Sequence, residues 1–484
     1  MALEITLKPD KTELRVQEDT LVRVVLRNGG GSPIEVVNPI QSVAWPVFKL
    51  LSKQSGVTET HRRKPSSPLT SEIPMTLEAG KQFEWSFWLR QVLEIARPGE
   101  YELTAEYEWN AGAGIARSAP VGLKLEASNV RWAALGNCQS PTQEEFFVFW
   151  VEAGGQLLRT TVSNYDDPQV TETAALDKVD PSITPWPSIS ANKGNPMIAW
   201  LTWLEGGAQN PALKFRFVGL RQTEGKIFSM EMPRATIRIV PNPFMLDSQD
   251  GEVLLWMATA QPETAKLQLA VLERSGNCRP GAFLKLSSAA QPLWMQTAFP
   301  SGGERRAYLA SREGESVRLK VTTWKAGGEM TELKELASLP GRFVGAGLAV
   351  MPDDTTSGML LSRPDDRPNT ILMMPWGHKL DGTFRSGEPT SVAFEDAGRI
   401  DAAKVRVNVN YGVSVALKVT GQPWRLRAPG EDFKPIGGDA GQTLEPFYLF
   451  FNSLVEPLVL YSRPGMGFFF STPSGAEASI TQRG

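Results

Sequence analysis

The sequence predicts an all-β chain: a β-sandwich over residues 1–127, then a β-propeller of about seven four-stranded blades over residues 128–484. Three observations carry this. The first quarter holds about seven short strands separated by turn residues. After Asn129 one hairpin design recurs seven times. The inner strands of those hairpins are apolar at nearly every position, as a sheet covered on both faces requires.

In the first segment Leu3, Ile5 and Leu7 alternate with polar residues, which gives a strand one apolar face. Leu14 and Val16 follow, then the run Leu21–Leu26. That run ends in Asn28-Gly29-Gly30-Gly31-Ser32-Pro33, where glycine supplies the positive φ of a tight reversal. Ile34–Val37 and Val47–Leu50 are the next strands. Between Ser55 and Pro74 stand His61-Arg62-Arg63-Lys64, three prolines and little apolar content, which predicts a long exposed loop. Leu77-Glu78-Ala79-Gly80 leads into the aromatic strand Phe83–Trp88. Pro98-Gly99 leads into Tyr101–Trp109, where Tyr101, Leu103, Ala105, Tyr107 and Trp109 share one face, and Val121, Leu123 and Leu125 close the segment.

This order is Arg27-Asn28 after an apolar strand, a Phe-containing strand, a Leu-x-x-Gly turn, an aromatic strand, then Pro-Gly-x-Tyr-x-Leu. It resembles the immunoglobulin-like domain of bacterial intracellular proteinase-inhibitor proteins, over the first quarter of the chain. The resemblance implies an immunoglobulin-like β-sandwich. It also implies inhibition through a protruding loop, for which the basic loop of His61, Arg62, Arg63 and Lys64 is the candidate.

The seven hairpins begin with Phe146–Trp150, turning at Gly154-Gly155 into Leu157–Val162. Met197–Leu201 passes Gly206-Gly207 into Leu213–Phe217, Val253–Trp256 returns as Leu267–Val271, and Ala307–Ala310 turns at Glu313-Gly314 into Val317–Val321. Met359–Leu361 turns at Asp365-Asp366 into Thr370–Met374, and Val413–Leu417 turns at Gly421-Gln422-Pro423 into Trp424–Leu426. Pro457–Tyr461 turns at Pro464-Gly465 into Phe468–Phe470. Aligning Trp150, Trp200, Trp256, Leu309, Leu361, Leu417 and Leu460 gives a step of about 52 residues, the span of a propeller blade. Neither a Trp-Asp dipeptide nor a double glycine recurs in register, so no named repeat family is assigned.

Fifty Lys and Arg stand against 53 Asp and Glu, a net charge of −3 that offers no general attraction for phosphate and excludes nucleic acid as the expected partner. No run of about 20 apolar residues predicts a membrane helix, and Met1–Asp10 shows no secretory pattern, so a cytoplasmic location is expected. Cys138 and Cys278, each in a Gly-Asn-Cys setting, form no close-spaced framework and are expected as free thiols. No Cys-x-x-Cys or His-x-x-x-His pattern suggests zinc, and no nucleophile elbow, phosphate loop or dinucleotide fingerprint is present, so no cofactor, metal or catalytic residue is assigned.

Trp150, Trp200 and Trp256 share one register and are expected as core wedges between blades. Trp186, in Thr184-Pro185-Trp186-Pro187, and Trp376, in Met374-Pro375-Trp376-Gly377-His378, lie in proline-bound turns. They are the surface candidates, since an exposed aromatic face grips planar or sugar rings. The paired aspartates Asp166-Asp167, Asp353-Asp354 and Asp365-Asp366 fit turns, because neighbours on a strand point to opposite faces and do not converge. The expected function is therefore a non-catalytic protein-interaction or scaffold protein, a subunit of a larger assembly of the bacterial cytoplasm, with protein partners. Its candidate surface is His61, Arg62, Arg63, Lys64, Trp186, Trp376 and His378. Two alternatives stand beside it: a carbohydrate-binding or glycosidase-like propeller, and a proteinase inhibitor acting through residues 1–127.

Overall fold

The computed structural model describes residues 3–40, 45–61, 73–93, 97–109, 114–139, 144–163, 169–180, 186–189, 198–206, 209–219, 226–239, 244–245, 251–258, 265–273, 275–286, 292–300, 303–325, 328–394, 398–408, 410, 412–435, 445–451, 457–463, 467–471, 477–480 and 482–483. Apart from one short 3₁₀ turn, Leu89–Gln91, the regular structure among them is entirely β. The chain forms two units: Met1–Asn129 with Pro464–Phe468 and Ser479–Gly484, and Val130–Arg463 with Phe469–Ala478.

In the first unit, alternating side chains give each strand one inward face. Leu3–Pro9, Leu21–Asn28 and Gln82–Trp88 form one antiparallel sheet in that order. The second sheet runs Glu13–Arg15, Val121–Glu126, Gly99–Glu108, Val47–Ser52, Thr58–His61, with Ile115–Arg117 also paired to Gly99–Glu108. Glu13–Arg15 joins Val121–Glu126 in parallel. Leu3, Ile5 and Leu7 from the first sheet, and Phe48, Leu103 and Tyr107 from the second, share one buried core. Asn28 holds the glycine-rich reversal in place. Its side-chain amide donates to the carbonyls of Ser32 and Leu77, and its Oδ1 accepts from the Gly30 amide.

Two expectations need correcting here. The first part of the loop expected over Ser55–Pro74 is a strand, Thr58–His61, paired with Val47–Ser52. Its first three side chains are exposed, so an edge strand held by backbone bonds left no apolar signature to read. The end of the chain is also not all in the second unit: Gln482–Arg483 pairs in parallel with Glu18–Asp19 of the first. A two-residue backbone pairing has no side-chain period.

From Val130 onward the described residues form seven sheets of four or five strands. Sheet 1 is Val130–Gln139, Glu144–Glu152, Gln156–Ser163 and Gln169–Lys178. Sheet 2 is Trp186–Ile189, Ile198–Glu205, Ala212–Gly219 and Phe228–Glu231. Sheet 3 is Thr236–Ile239, Gly251–Ala258, Ala265–Leu272 and Cys278–Leu286, with Phe244–Met245 also on its second strand. Sheet 4 is Trp294–Ala298, Glu304–Glu313, Ser316–Lys325 and Lys334–Pro340. Sheet 5 is Arg342–Val350, Thr356–Arg363 and Thr370–His378, whose outer edge carries both Phe384–Ser386 and Thr390–Ala393. Sheet 6 is Ile400–Val407, Val413–Val419, Arg425–Arg427 and Lys434–Pro435. Sheet 7 is Glu445–Phe451, Pro457–Arg463, Gly467–Ser471 and Glu477–Ile480.

Each hairpin found in the sequence is the second and third strand of one of these sheets. Their second strands are buried on both faces: Arg305–Ala310 and Met359–Ser362 are continuous buried runs. Trp150, Trp256, Leu309, Leu361, Leu417 and Leu460, at the aligned position, are all buried. The Trp200 side chain lies outside the described residues. Successive sheets bury their faces against each other, so Leu254, Trp256, Leu267 and Leu269 of sheet 3 share a core with Met295, Ala307 and Leu309 of sheet 4.

First strands lie next to first strands. Val130–Gln139 packs beside Trp186–Ile189, Trp294–Ala298 beside Arg342–Val350, and Ile400–Val407 beside Glu445–Phe451. Glu445–Phe451 of sheet 7 in turn packs beside Val130–Gln139 of sheet 1.

Sheets 5 and 6 approach backbone to backbone. A Cβ added to Gly345 would lie 2.7 Å from the Ala403 carbonyl oxygen, and one on Gly347 would lie 2.5 Å from that of Val405. Backbone cannot move aside as a side chain can, so only glycine fits this face of Arg342–Val350. Gly347→Val is therefore expected to cost about 1–3 kcal/mol in urea unfolding of the full chain. Gly154→Ala, which meets nothing within 4 Å, should leave the midpoint unchanged; equal midpoints for both variants would contradict this packing.

Candidate functional site

Several strands that are otherwise apolar carry an arginine, and these arginines mark the polar sites of the second unit. Arg216 stands between Phe215 and Phe217 and is 2% exposed; Arg306 is fully buried. A buried guanidinium needs acceptors, and each finds them on a neighbouring sheet. Arg216 of sheet 2 donates to the Leu176 carbonyl and to Asp177 of sheet 1. Arg305 of sheet 4 has Nη1 at 2.6 and 2.7 Å from the two carboxylate oxygens of Glu252 on sheet 3. Arg306 donates from Nη1 to the His378 carbonyl and from Nη2 to that of Leu380, both at 3.1 Å, and from Nε to Glu304 at 2.6 Å. Arg363 of sheet 5 donates to the Ile400 carbonyl of sheet 6.

Around Arg306 the seam between sheets 4 and 5 gathers the residue types of acid–base chemistry. The Tyr308 hydroxyl and His378 Nδ1 are hydrogen-bonded at 2.9 Å. The Tyr308 ring lies 4.9 Å from that of Trp376, and Trp376 stacks on Phe384. The Trp376 indole lies across Gly358 on the adjacent strand, where an added Cβ would stand 2.1 Å from the ring. Burial, and then the Arg306 charge, pull the His378 pKa down to about 4, so the imidazole is neutral near pH 7. Burial pushes the Tyr308 hydroxyl up. The Tyr308–His378 bond joins sheet 4 to sheet 5 across this seam, and among the described residues the Trp376 indole nitrogen is buried beside it without a hydrogen-bond partner.

Trp376 and His378 are thus corrected from surface candidates to core residues, 3% and 5% exposed. Pro375 suggested a turn, but it lies within Thr370–His378, which continues through it as a strand. Trp186 begins the strand Trp186–Ile189, and its side chain lies outside the described residues. His61 ends an edge strand with Nε2 3.3 Å from Glu59. Arg62, Arg63 and Lys64 lie outside the described residues. His61 belongs to the first unit, and Trp186, Trp376 and His378 to sheets 2 and 5 of the second.

Asp353 accepts from the amide and the hydroxyl of Thr355, the local bonding of a turn. Asp365 pairs with Arg342 and Arg312, and Asp166-Asp167 lies outside the described residues. Among the described residues no three His, Cys, Asp or Glu side chains are grouped to hold a metal. Cys278 is a free thiol whose pKa is pushed up to about 11 by burial and then by Glu273, which suppresses the reactive thiolate. The buried arginines and Glu252 escaped the sequence reading. Their signal was a charge inside an apolar run, as in Leu-Lys-Phe-Arg-Phe.

No family model matches the chain, and no curated protein matches it. Among solved structures it is similar to the acylaminoacyl peptidase of Pyrococcus horikoshii at 13% identity and a TM-score of 0.41, covering 72% of this chain. The chain spans 52% of that peptidase, about half its length. It is similar to the Aleuria aurantia lectin, a six-bladed β-propeller that recognises fucose, at 10% identity and a TM-score of 0.33, over 73% of this chain and 98% of the lectin. A neuraminidase-like protein of a bat influenza A virus gives 7% identity and a TM-score of 0.35, over 60% and 92%. Likeness at this level says nothing about what this chain binds.

Two outcomes follow from the seams. Arg305→Ala leaves Glu252 charged and buried, and is expected to cost about 3–5 kcal/mol in urea unfolding. The double exchange Arg305→Met with Glu252→Leu, which strands no charge, should be far milder; equal losses would contradict the pairing. The unfolded imidazole of residue 378 titrates at its ordinary value of 6.5 and the folded one near 4, so unfolding takes up a proton between them. The stability present above pH 6.5 is lost as pH falls toward 4, by about 3 kcal/mol. Urea midpoints compared at about pH 7 and about pH 4.5 should fall less for His378→Asn than for the wild type, and parallel falls would refute the depressed pKa.

Proposed function

We propose that the chain is a non-catalytic protein-interaction or scaffold protein, built as an immunoglobulin-like sandwich joined to a seven-bladed β-propeller and acting as a subunit of a larger cytoplasmic assembly. The observation that carries this reading is the stitching of the seams. Arg216, Arg305, Arg306 and Arg363 each spend a guanidinium on holding one sheet to the next. Such cross-linked sheets hold their connecting loops still, and a loop already fixed loses little entropy when a partner docks. His378, the most chemically suggestive residue of the sequence, is committed to the same task.

The immunoglobulin-like assignment draws support from sheet order. An outer sheet of three strands faces a second in which Gly99–Glu108 lies between Val121–Glu126 and Val47–Ser52. Near the start of Gly99–Glu108 the Tyr101 hydroxyl donates to the Arg97 carbonyl, four residues upstream, at 2.9 Å. That bond is the corner made by a tyrosine in many such sandwiches. The carbohydrate reading loses Trp376, whose indole face is covered by Tyr308 and Phe384 and is closed to a sugar.

The test is chemical cross-linking of the full chain in its native host, followed by affinity isolation and size analysis. The expected result is one partner protein in stoichiometric amount. Repeated isolation of the chain alone, together with turnover of chromogenic glycosides, would overturn the reading.

A further inference from the structure

Where sheets 5 and 6 meet, three arginines collect at one end of the strands. Arg342 opens Arg342–Val350, Arg363 closes Thr356–Arg363, and the two stand directly opposite each other in the antiparallel ladder. Arg399 immediately precedes Ile400–Val407, the strand packed against Arg342–Val350. Both Arg342 and Arg399 are near enough to disfavour the charge on Arg363. Like charges opposed across a ladder cost stability. Core packing does not require these two, whose side chains are 55% and 60% exposed.

Their hydrogen bonds leave a set of donors unused. Arg342 donates from Nε to Asp365 at 2.5 Å, and Arg399 from Nε to Asp401 at 2.7 Å. Both therefore engage side-on, and among the described residues the Nη pair at the end of each guanidinium has no protein acceptor. Arg363 donates from Nη1 alone, and its Nε is buried without an acceptor. The carboxylates are already shared: Asp365 also accepts from Arg312 at 3.4 Å, and Asp401 from the Thr420 hydroxyl at 2.8 Å. Glu315, in the turn whose carbonyl accepts from the Gly341 amide, makes no ion pair among the described residues. Among the described residues Arg312 and Arg342 thus share Asp365, Arg399 pairs with Asp401, and Arg363 has only the Ile400 carbonyl.

We propose that this cluster is the docking site for an acidic, extended segment of a partner protein, whose carboxylates cap the free Nη pairs of Arg342 and Arg399. The planar end of a guanidinium matches a carboxylate with two parallel bonds, which makes such a contact both strong and directional. More than half exposed, the two arginines suit a segment bringing several carboxylates better than a small ligand, which needs a concave site. The assignment rests on the interaction-protein reading and names the chemistry of the partner.

The test is fluorescence anisotropy of a fluorescein-labelled hexaglutamate peptide titrated with the full chain at low salt. Binding is expected, weakened about tenfold or more in Arg342→Ala/Arg399→Ala and falling with added salt. Arg23→Ala, which removes an exposed arginine of the first unit, should leave it unchanged. Circular dichroism establishes that each variant is folded. Equal affinity in the double variant would overturn the site. So would displacement of the peptide by an equal concentration of inorganic phosphate, which marks a small-anion site, or tighter binding of a single-stranded oligonucleotide with the same arginine dependence. If the double variant binds hexaglutamate normally while cross-linking still recovers a partner, this site fails and the interaction reading stands.

Discussion

A sheet whose second strand reads Gly-Glu-Val-Leu-Leu-Trp-Met-Ala has apolar side chains on both faces, and one neighbour can cover only one of them. This is the constraint from which the second unit follows. Each sheet needs a partner on either side, and the series ends without an uncovered face only where the last sheet meets the first. The contact of Glu445–Phe451 with Val130–Gln139 meets that requirement. It also explains the local oddities. Where first strands meet, Arg342–Val350 puts Gly345 and Gly347 toward the backbone of sheet 6.

The same constraint accounts for the buried charges. The side chains of Arg216 and Arg306 emerge among apolar neighbours and cannot reach water, so they carry donors across the seam to backbone carbonyls. Glu252 and Arg305 solve the problem as a pair, and burial holds the Glu252 carboxyl above its ordinary range even beside that arginine. Such groups are a weak source of net stability. What they supply is register, because a slipped sheet would leave a guanidinium without its acceptor. His378 and Tyr308 belong to this bonding, which is why an apparent acid–base pair lies in the core.

Much of this organisation was legible in the sequence. The seven hairpins were visible because doubly buried strands are apolar at nearly every position and glycine marks their turns, as Gly155, Gly314 and Gly421 do with positive φ. What escaped notice depends on partners distant in sequence. Pro375-Trp376-Gly377 reads locally as a turn, and only the space left by Gly358 on the adjacent strand shows where the indole goes. Thr58–His61 and Gln482–Arg483 are held by backbone bonds, which no side-chain pattern records. The arginine cluster at sheets 5 and 6 joins residues 342, 363 and 399, a convergence set by the sheet register and the turn at Gly341.

Amide hydrogen exchange across the second unit tests the mutual coverage of the sheets most directly. If the faces close on one another around the series, Glu144–Glu152 and Pro457–Arg463, in the first and last sheets, will be as strongly protected as Glu304–Glu313 in the middle and will open with it. Protection that declines step by step from sheet 4 toward both ends is the behaviour of an open array, and would contradict the account.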